Sequence, residues 1–223
     1  MSAARGEHPP AYVAPRSIYL ASRSPRRKEL LRQIGVDFDE LVLRDGDVGS
    51  GEIVERPRVG EAALDYVTRI ARTKAAIGWH DMTRMALPPR PVLAADTEVI
   101  VDDGALGKPG DAASAAAMLT RLSATTHRVT TVVAVRWNAR MHVAVSNSYV
   151  MLRALGDDEI ARYVQSGEAF DKAGGYAIQG KAAAFIAHLS GSYTGVMGLP
   201  LYETARLLNE IGYRAGAEPP ARR

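Results

Sequence analysis

One segment decides how the first elements of the chain fold: Leu20-Ala-Ser-Arg-Ser-Pro-Arg-Arg-Lys-Glu-Leu-Leu31. It combines the end of an apolar strand, a serine-rich turn and the start of a helix. Ser24 is a typical N-cap, and Pro25 suits the first helical position because its missing N–H would have no partner there. The segment therefore predicts a strand-turn-helix unit at the start of the fold.

The first turn of this predicted helix carries Arg26 and Arg27, where helices usually prefer acidic residues. Free backbone N–H groups and the positive end of the helix dipole favour a phosphate at such a position, and arginine adds forked hydrogen bonds. One interpretation is an anion-binding helix start. The other is a solvated basic turn beneath Leu30, Leu31 and Ile34, which would pack inward.

The positive charge of the chain is concentrated at its two ends. The 223 residues include 28 lysines and arginines and 25 acids, which gives a net charge of +3. Residues 1–16 contribute +1 and residues 214–223 contribute +2, so residues 17–213 are neutral overall. This distribution argues against a nucleic-acid groove. We expect a disordered N-terminal tail over residues 1–16, one domain over residues 17–213 and a flexible basic C-terminal tail over residues 214–223.

Several classes of protein are excluded by composition. The chain has no cysteine, which excludes disulfides and cysteine-based catalysis and fits a reducing compartment. No run approaches the roughly 20 apolar residues of a membrane span, and residues 1–15 lack the apolar core of a secretory signal. The five histidines show no metal-ligand spacing, and no Walker A, GxSxG or GxGxxG motif occurs. We expect a soluble, cytoplasmic protein that binds neither membranes nor nucleic acid.

Helical and strand patterns alternate along the chain, and two neighbouring strand patterns in its middle imply antiparallel pairing as well. Strands are predicted at residues 18–21, 38–43, 92–95, 99–101, 129–135, 141–152 and 184–189. Helices are predicted at residues 25–34, 61–79, 112–122, 157–165 and from about 200 to 212. The predicted fold class is therefore α/β with a mixed sheet.

Three further side chains are candidates for binding a ligand. Asp96 follows the predicted strand at residues 92–95, where α/β sheets often present functional carboxylates; an aspartate that caps the strand-end turn is the alternative. Lys74 interrupts an apolar helix face, and Lys108 lies between a glycine and a proline. Each lysine either binds an anion or extends to solvent. A bound triphosphate would require three or four such cations.

A glycine-rich segment, Asp171-Lys-Ala-Gly-Gly-Tyr-Ala-Ile-Gln-Gly180, precedes the last predicted strand. Glycine permits positive φ and close backbone approach, so either a bound ligand or a tight packing turn accounts for the pattern. The amide of Gln179 can donate and accept at once, as recognition of a base edge requires.

These motifs follow one another in a specific order. The segment at residues 20–27 is followed by Ala71-Arg-Thr-Lys-Ala75, Ala95-Asp-Thr97, Gly107-Lys-Pro109, Leu122-Ser123 with His127-Arg-Val129, the glycine-rich segment, and Gly191-Ser-Tyr193 with Gly198-Leu-Pro-Leu201. Over about residues 17–212 this series resembles the Maf family of nucleoside triphosphate pyrophosphatases. The glycine-rich segment is similar to that of the branch that cleaves dTTP and UTP.

The resemblance implies a two-lobed Maf/ITPase-like α/β fold, with a curved mixed β-sheet and a central cleft. It implies hydrolysis of nucleoside triphosphates, dTTP and UTP in preference, to the monophosphate and pyrophosphate. Clearing of modified pyrimidine nucleotides and a homodimer are further implications. A nucleotide-dependent regulator of cell division with little turnover is the alternative function.

The resemblance also implies roles for individual residues. Asp96 would be the proton acceptor that activates water. Phosphates would be held by Ser22, Arg26, Lys74 and Lys108, and base preference would be set by Arg27, Thr97 and Gln179. The roles of Arg26 and Arg27 could be exchanged.

A divalent metal, Mg²⁺ or Mn²⁺, is a further implication, with Asp96 and Asp47 as its ligands. Family members usually carry an acidic Asp-Glu type pair after the second strand, whereas this chain has Asp45-Gly46-Asp47. Asp45 and Glu52 are therefore alternative positions for this ligand.

Overall fold

Helices and strands alternate in the computed structural model, which describes residues 14–42 and 55–213. Most of the predicted tails, residues 1–13 and 214–223, lie outside the described residues. The elements, in chain order, are β1 (Ile18–Leu20), α1 (Pro25–Gln33), β2 (Phe38–Glu40), α2 (Ala63–Arg84), β3 (Val92–Val101), β4 (Gly104–Ala105), α3 (Ala112–Leu122), β5 (Thr126–Trp137), β6 (Arg140–Leu152), α4 (Asp157–Gln165), β7 (Ile186–Ser190), α5 (Tyr193–Met197) and α6 (Leu201–Glu210). Two short 3-10 helices, Ala173–Gly175 and Lys181–Phe185, precede β7.

The seven strands of the described residues form one mixed sheet. Their order is β2-β1-β3-β5-β6-β7, and β4 pairs with the far part of β3. β2, β1 and β3 are parallel, whereas β3, β5, β6 and β7 pair in antiparallel fashion. The mixed α/β class predicted from the sequence is confirmed. In the part of the chain that is described, no helix is both long and apolar enough to cross a membrane.

β3 is much longer than its parallel neighbour β1, and this difference leaves part of the sheet uncovered. β1 pairs with β3 only as far as Leu93. On the same side of β3, β4 pairs only with Ile100 and Val101. Residues 94–99 of β3 therefore have no paired strand on this edge, beyond the carboxyl end of β1. Positions of this kind are where α/β sheets usually bind ligands.

The surroundings of Asp96 differ from the sequence prediction. The predicted break at Asp96 and Thr97 is wrong, because β3 is continuous over residues 92–101. Two polar residues in an apolar run suggested a strand end, but both pair with β5, opposite Val132 and Thr131. The partner strand supplies regular backbone pairing throughout, whatever the side chains are. Asp96 thus lies in the middle of a strand, at the uncovered stretch.

The core has three clusters, arranged by the alternation of side chains along the strands. On one face of the sheet, α1 and α6 cover β1 and the beginning of β3 through Leu30, Leu31, Leu207 and Leu208. Farther along the same face, α3 and α4 cover the end of β3 and β6. The opposite face is covered by α2. The two clusters on the first face correspond to two lobes, and Thr97 lies between them.

Helix α2 packs unusually close to the sheet at Gly78. A Cβ atom there would lie 2.8 Å from Cγ1 of Val92 and 3.2 Å from Cβ of Ala21. The helix continues through this glycine to Arg84, beyond the predicted end at residue 79. Glycine is unfavourable in a helix, so the close contact explains its presence.

We expect Gly78→Ala to lower the free energy of unfolding, although alanine is the better helix former. Overpacking costs about 1–3 kcal/mol, against a gain in helix propensity of about 1 kcal/mol. Urea denaturation measures the difference. Ala76→Gly, at an exposed position of the same helix, is the control for propensity alone. A Gly78→Ala variant more stable than the parent would contradict the close packing.

Candidate active site

A cleft of about 680 Å³ lies at the uncovered stretch of β3. Its walls come from the β1–α1 turn, the middle of α2, the loop after β4, the glycine-rich segment and the end of α5. The cleft brings together every predicted site residue that the structure describes: Ser22, Arg26, Arg27, Lys74, Asp96, Thr97, Lys108 and Gln179. Asp47, the predicted second metal ligand, lies outside the described residues, as do its alternatives Asp45 and Glu52.

Two serines close the turn that leads into α1. Ser24 is the N-cap, and its Oγ accepts a hydrogen bond from the backbone N–H of Arg27 at 3.4 Å. Ser22 Oγ accepts from the backbone N–H of Ser24 at 3.2 Å. Pro25 is the first helical residue, and no acid is present in the first turn. The positive end of α1 therefore faces the cleft, which favours the interpretation as an anion-binding helix start.

Arg27 is bound by protein groups from three parts of the fold. Its Nε donates to the carbonyl of Gly198 at 2.8 Å. The two terminal nitrogens donate to Ser22 Oγ at 3.3 Å and to Thr97 Oγ1 at 3.4 Å. Burial lowers the pKa of Arg27, and the nearby Asp96 carboxylate partly offsets this effect.

Arg26 differs from its neighbour. Within the described residues it makes no hydrogen bond or ion pair. Burial lowers its pKa, and the charge of Asp171 offsets this only in part. Its guanidinium group is therefore available to a ligand. This difference favours Arg26 for a phosphate and Arg27 for holding the site together.

Thr97 is tied to α5 through a second threonine. The Oγ1 atoms of Thr97 and Thr131 are 2.9 Å apart, and Thr131 Oγ1 donates to the carbonyl of Gly195 at 2.7 Å. Gly198, with φ of +114°, ends α5 beside Thr97 and Arg27. This hydrogen-bond chain fixes the end of α5 against the middle of β3.

Lys74 lies between two carboxylates at the centre of the cleft. Its Nζ is 2.8 Å from Oδ1 of Asp96 and 2.7 Å from Oε1 of Glu55. The side chains of Lys74 and Asp96 are only 13% and 14% exposed. Burial raises the pKa of Glu55, but Lys74 and, more weakly, Lys108 and Arg27 outweigh this and lower it overall.

Glu55 is a site residue that the sequence analysis missed. Four acids occur between residues 45 and 55, and nothing in their spacing distinguishes Glu55 from Asp45, Asp47 or Glu52. Only the fold places it beside Lys74. Asp171 and Lys172 also line the cleft, although in the sequence only the glycines and Gln179 of their segment carried a signal for ligand binding.

The glycine-rich segment forms one wall of the cleft. Gly174 has φ of +70°, and a Cβ atom there would lie 2.9 Å from Val99. Tyr176 is anchored by His127, whose Nε2 is 2.8 Å from the tyrosine hydroxyl. Gln179 is exposed and makes no hydrogen bond within the described residues. No described neighbour therefore fixes the orientation of its amide.

Cations outnumber acids around the cleft. The lining includes six cationic residues, Arg23, Arg26, Arg27, Lys74, Lys108 and Lys172, and three acidic residues, Glu55, Asp96 and Asp171. The resulting excess of positive charge suits a polyanionic ligand.

The described acids of the cleft could bind a divalent cation whose remaining ligands come from a phosphate group and water. No group of three or more metal-binding side chains occurs within residues 14–42 and 55–213. Mg²⁺ commonly uses one or two carboxylates together with phosphate oxygens and water. Asp96 and Glu55, which bind the same ammonium group, provide two carboxylates at one place. The donor set therefore fits Mg²⁺ or Mn²⁺ without forming a complete cage.

The comparison with known proteins agrees with this arrangement. The model of the Maf-like protein family matches residues 17–211. The chain belongs to the Maf family. A dTTP/UTP pyrophosphatase of Dechloromonas aromatica (strain RCB) is 52% identical over 197 residues, 88% of this chain and 98% of the relative. The corresponding protein of Ralstonia nicotianae is 53% identical over 193 residues, 86% of this chain and 92% of the relative. The family membership inferred from the motifs is confirmed.

We expect the two arginines of this Maf cleft to differ in their effect on stability. Arg27→Ala removes three hydrogen bonds of a charged group and should lower the free energy of unfolding by about 1–3 kcal/mol. Arg26→Ala should change it by less than about 0.5 kcal/mol. Chemical denaturation of both variants measures these effects. Equal losses of unfolding free energy in the two variants would contradict the proposed difference between Arg26 and Arg27.

Burial lowers the pKa of His127 to about 4, from 6.5. The unfolded chain therefore takes up this proton at higher pH than the folded chain, and stability falls as the pH decreases from about 6.5 to about 4. At 1.36 kcal/mol per pH unit, the loss is on the order of 3 kcal/mol. We expect His127→Gln to remove this component, measured by urea denaturation across the range. An unchanged pH dependence in the variant would refute the assignment.

Proposed function

We propose that this chain hydrolyses nucleoside triphosphates, with dTTP and UTP preferred, to the nucleoside monophosphate and pyrophosphate. The observation that carries the proposal is the cleft in which the start of α1 and six cationic residues lie together with Asp96. Relatives that are 52% identical over 88% of the chain are named dTTP/UTP pyrophosphatase. Removal of modified pyrimidine nucleotides is a role that such an activity would serve.

The triphosphate binds at the positive side of the cleft. Arg26 and Lys108, neither of which has a hydrogen-bond partner among the described residues, bind phosphate oxygens, and the start of α1 adds its dipole. Ser22 contributes its hydroxyl beside Arg27. These groups offset the charge of the departing pyrophosphate, and such electrostatic stabilisation is usually the largest contribution in phosphoryl chemistry.

Asp96 orients water for attack on the α-phosphorus and accepts its proton. Its Oδ1 accepts a hydrogen bond from Lys74, and Oδ2 has no hydrogen-bond partner in the part of the chain that is described. Lys74 therefore fixes the carboxylate while leaving one oxygen for water. The second bond of Lys74, to Glu55, holds the ammonium in place.

We further propose a divalent cation, Mg²⁺ or Mn²⁺, with Asp96 and Asp47 as ligands and Glu55 as a further carboxylate near Asp96. When bound, it offsets phosphate charge and polarises the reacting groups. The homodimer and the cytoplasmic location expected from the sequence stay predictions.

Asp96→Asn should retain the fold and lose turnover by roughly 100-fold or more, because the amide cannot accept the proton. Pyrophosphate release is measured from a panel of triphosphates with Mg²⁺, with Mn²⁺ and with a chelator. Asp103→Asn, in the exposed β3–β4 turn, is the control and should keep full activity. Activity of Asp96→Asn within a few-fold of the parent would refute the role of Asp96. Triphosphate binding without turnover by the parent protein would instead favour a regulator.

Base preference is expected to depend on Gln179 together with Thr97 and Arg27, which line the same cleft. Uracil and thymine present a carbonyl beside an N–H, which one amide matches by donating and accepting. An unpaired buried polar group costs about 1–3 kcal/mol, which would disfavour cytosine. A flipped amide could also match cytosine, so this selectivity requires an orientation that is fixed in the nucleotide complex, since no described neighbour fixes it in the free protein.

Gln179→Ala should therefore reduce the ratio of kcat/KM for UTP to kcat/KM for CTP. This reduction should be larger than any decrease in kcat/KM that the two substrates share. Steady-state kinetics with UTP, CTP and GTP provide the comparison, and Gln165→Ala, at an exposed position in α4, is the matched control. If the parent protein cleaves UTP, CTP and GTP equally, the base-recognition argument fails while the pyrophosphatase proposal stands.

A further inference from the structure

Glu98 is a buried carboxylate next to the cleft that the proposed reaction does not use. It lies two residues after Asp96 on β3, on the same face of the sheet, and is 5% exposed. Burial raises the pKa of Glu98, although hydrogen bonds from two backbone N–H groups oppose this shift. Burying a carboxyl group is unfavourable unless it is hydrogen-bonded, so the hydrogen-bond partners of Glu98 indicate its role.

Those partners belong to the loop that carries Lys108. Oε1 of Glu98 accepts from the backbone N–H of Gly107 at 2.9 Å and from that of Val99 at 3.1 Å. Gly107 has φ of +62°, a conformation that glycine adopts readily. Lys108 follows directly, is exposed and makes no side-chain hydrogen bond within the described residues. The direction of its side chain is therefore set by the backbone that Glu98 holds.

The same glycine also connects Glu98 to the opposite wall of the cleft. The carbonyl of Gly107 accepts from the backbone N–H of Gly174 at 2.8 Å. Gly174 in turn lies against Val99, where a Cβ atom would clash. A single residue thus joins β3, the Lys108 loop and the glycine-rich segment that leads to Gln179.

We propose that Glu98 is a positioning residue, which holds Lys108 and the glycine-rich segment in place relative to Asp96 through both backbone groups of Gly107. This inference rests on the proposed function, because it assigns Lys108 to the triphosphate. Glu98 itself contacts no substrate in this scheme.

The test compares Glu98→Gln with Glu98→Val. Glutamine keeps a carbonyl oxygen that can accept from both N–H groups, and we expect kcat/KM for UTP within about threefold of the parent. Valine removes the acceptor, and we expect a loss of about tenfold, since small misplacements of binding groups are costly. Valine also suits a strand and removes a buried acid, which offsets part of the cost of leaving two N–H groups without this acceptor, so its activity should fall by more than its loss of stability explains.

A double-mutant cycle identifies the route of the effect. If Glu98 acts through Lys108, then Glu98→Val should lower kcat/KM by a much smaller factor in a Lys108→Ala background than in the parent. Asp111→Ala is the control, because Asp111 caps α3 three residues after Lys108 without contacting Gly107. It should lower stability and leave kcat/KM unchanged. Amide exchange at Gly107 should accelerate in Glu98→Val and not in Asp111→Ala.

Several outcomes would overturn the proposal: parental kcat/KM in Glu98→Val, equal losses in the glutamine and valine variants, or full additivity with Lys108→Ala. If Glu98→Val does not fold, Glu98→Asp, which is one methylene shorter, takes its place with the same expectations. Calorimetric titration with inorganic pyrophosphate accompanies the kinetics. If the parent protein binds pyrophosphate but does not cleave triphosphates, the proposed function fails, while the weaker binding expected of the valine variant still tests Glu98.

Discussion

The cleft depends on one constraint of the sheet, the difference in length between β1 and β3. Because β1 pairs with β3 only as far as Leu93 and β4 pairs with β3 only from Ile100, the stretch of β3 between them has a neighbouring strand on one side only. Side chains alternate between the two faces of a strand. At this stretch, Asp96 on the α2 face and Thr97 on the α1 face can both reach the same opening. A strand paired along this edge of β3 would have separated the side chains of Asp96 and Thr97.

The charges in the cleft oppose folding in the absence of ligand. Arg26 and Arg27 are adjacent, and each like charge near a partly buried group disfavours its charged form. The protein compensates only partly: Asp96 and Glu55 bind Lys74, and Asp171 attracts Arg26. A site that must bind a polyanion retains this repulsion, which is a known source of conflict between activity and stability. Binding of the triphosphate would relieve it.

Local signals in the sequence were sufficient where local interactions determine the structure. Ser24 and Pro25 predicted the start of α1 correctly because capping involves only neighbouring residues. The strand break at Asp96 was wrong because pairing with β5, which is distant in sequence, determines the length of β3. Glu55 could not be distinguished from other acids, since its significance comes from Lys74 on another element. The predicted site residues that the structure describes lie in one cleft, whereas their individual roles stay predictions.

The middle of β3 organises the cleft residue by residue. Asp96 binds Lys74 of α2, and Thr97 binds Arg27 of α1 and, through Thr131, the end of α5. Glu98 binds the loop before α3, and Val99 contacts the glycine-rich segment. Four consecutive side chains thus contact, directly or through Thr131, all five walls of the cleft. Because an extended strand paired along its length to β5 cannot bend independently at each residue, a shift of one wall relative to Asp96 requires a change in a side chain and not in the strand. The precision of the site therefore depends on the rigidity of β3, and substitutions at Thr97 or Glu98 should alter the walls that those side chains hold while leaving the others in place.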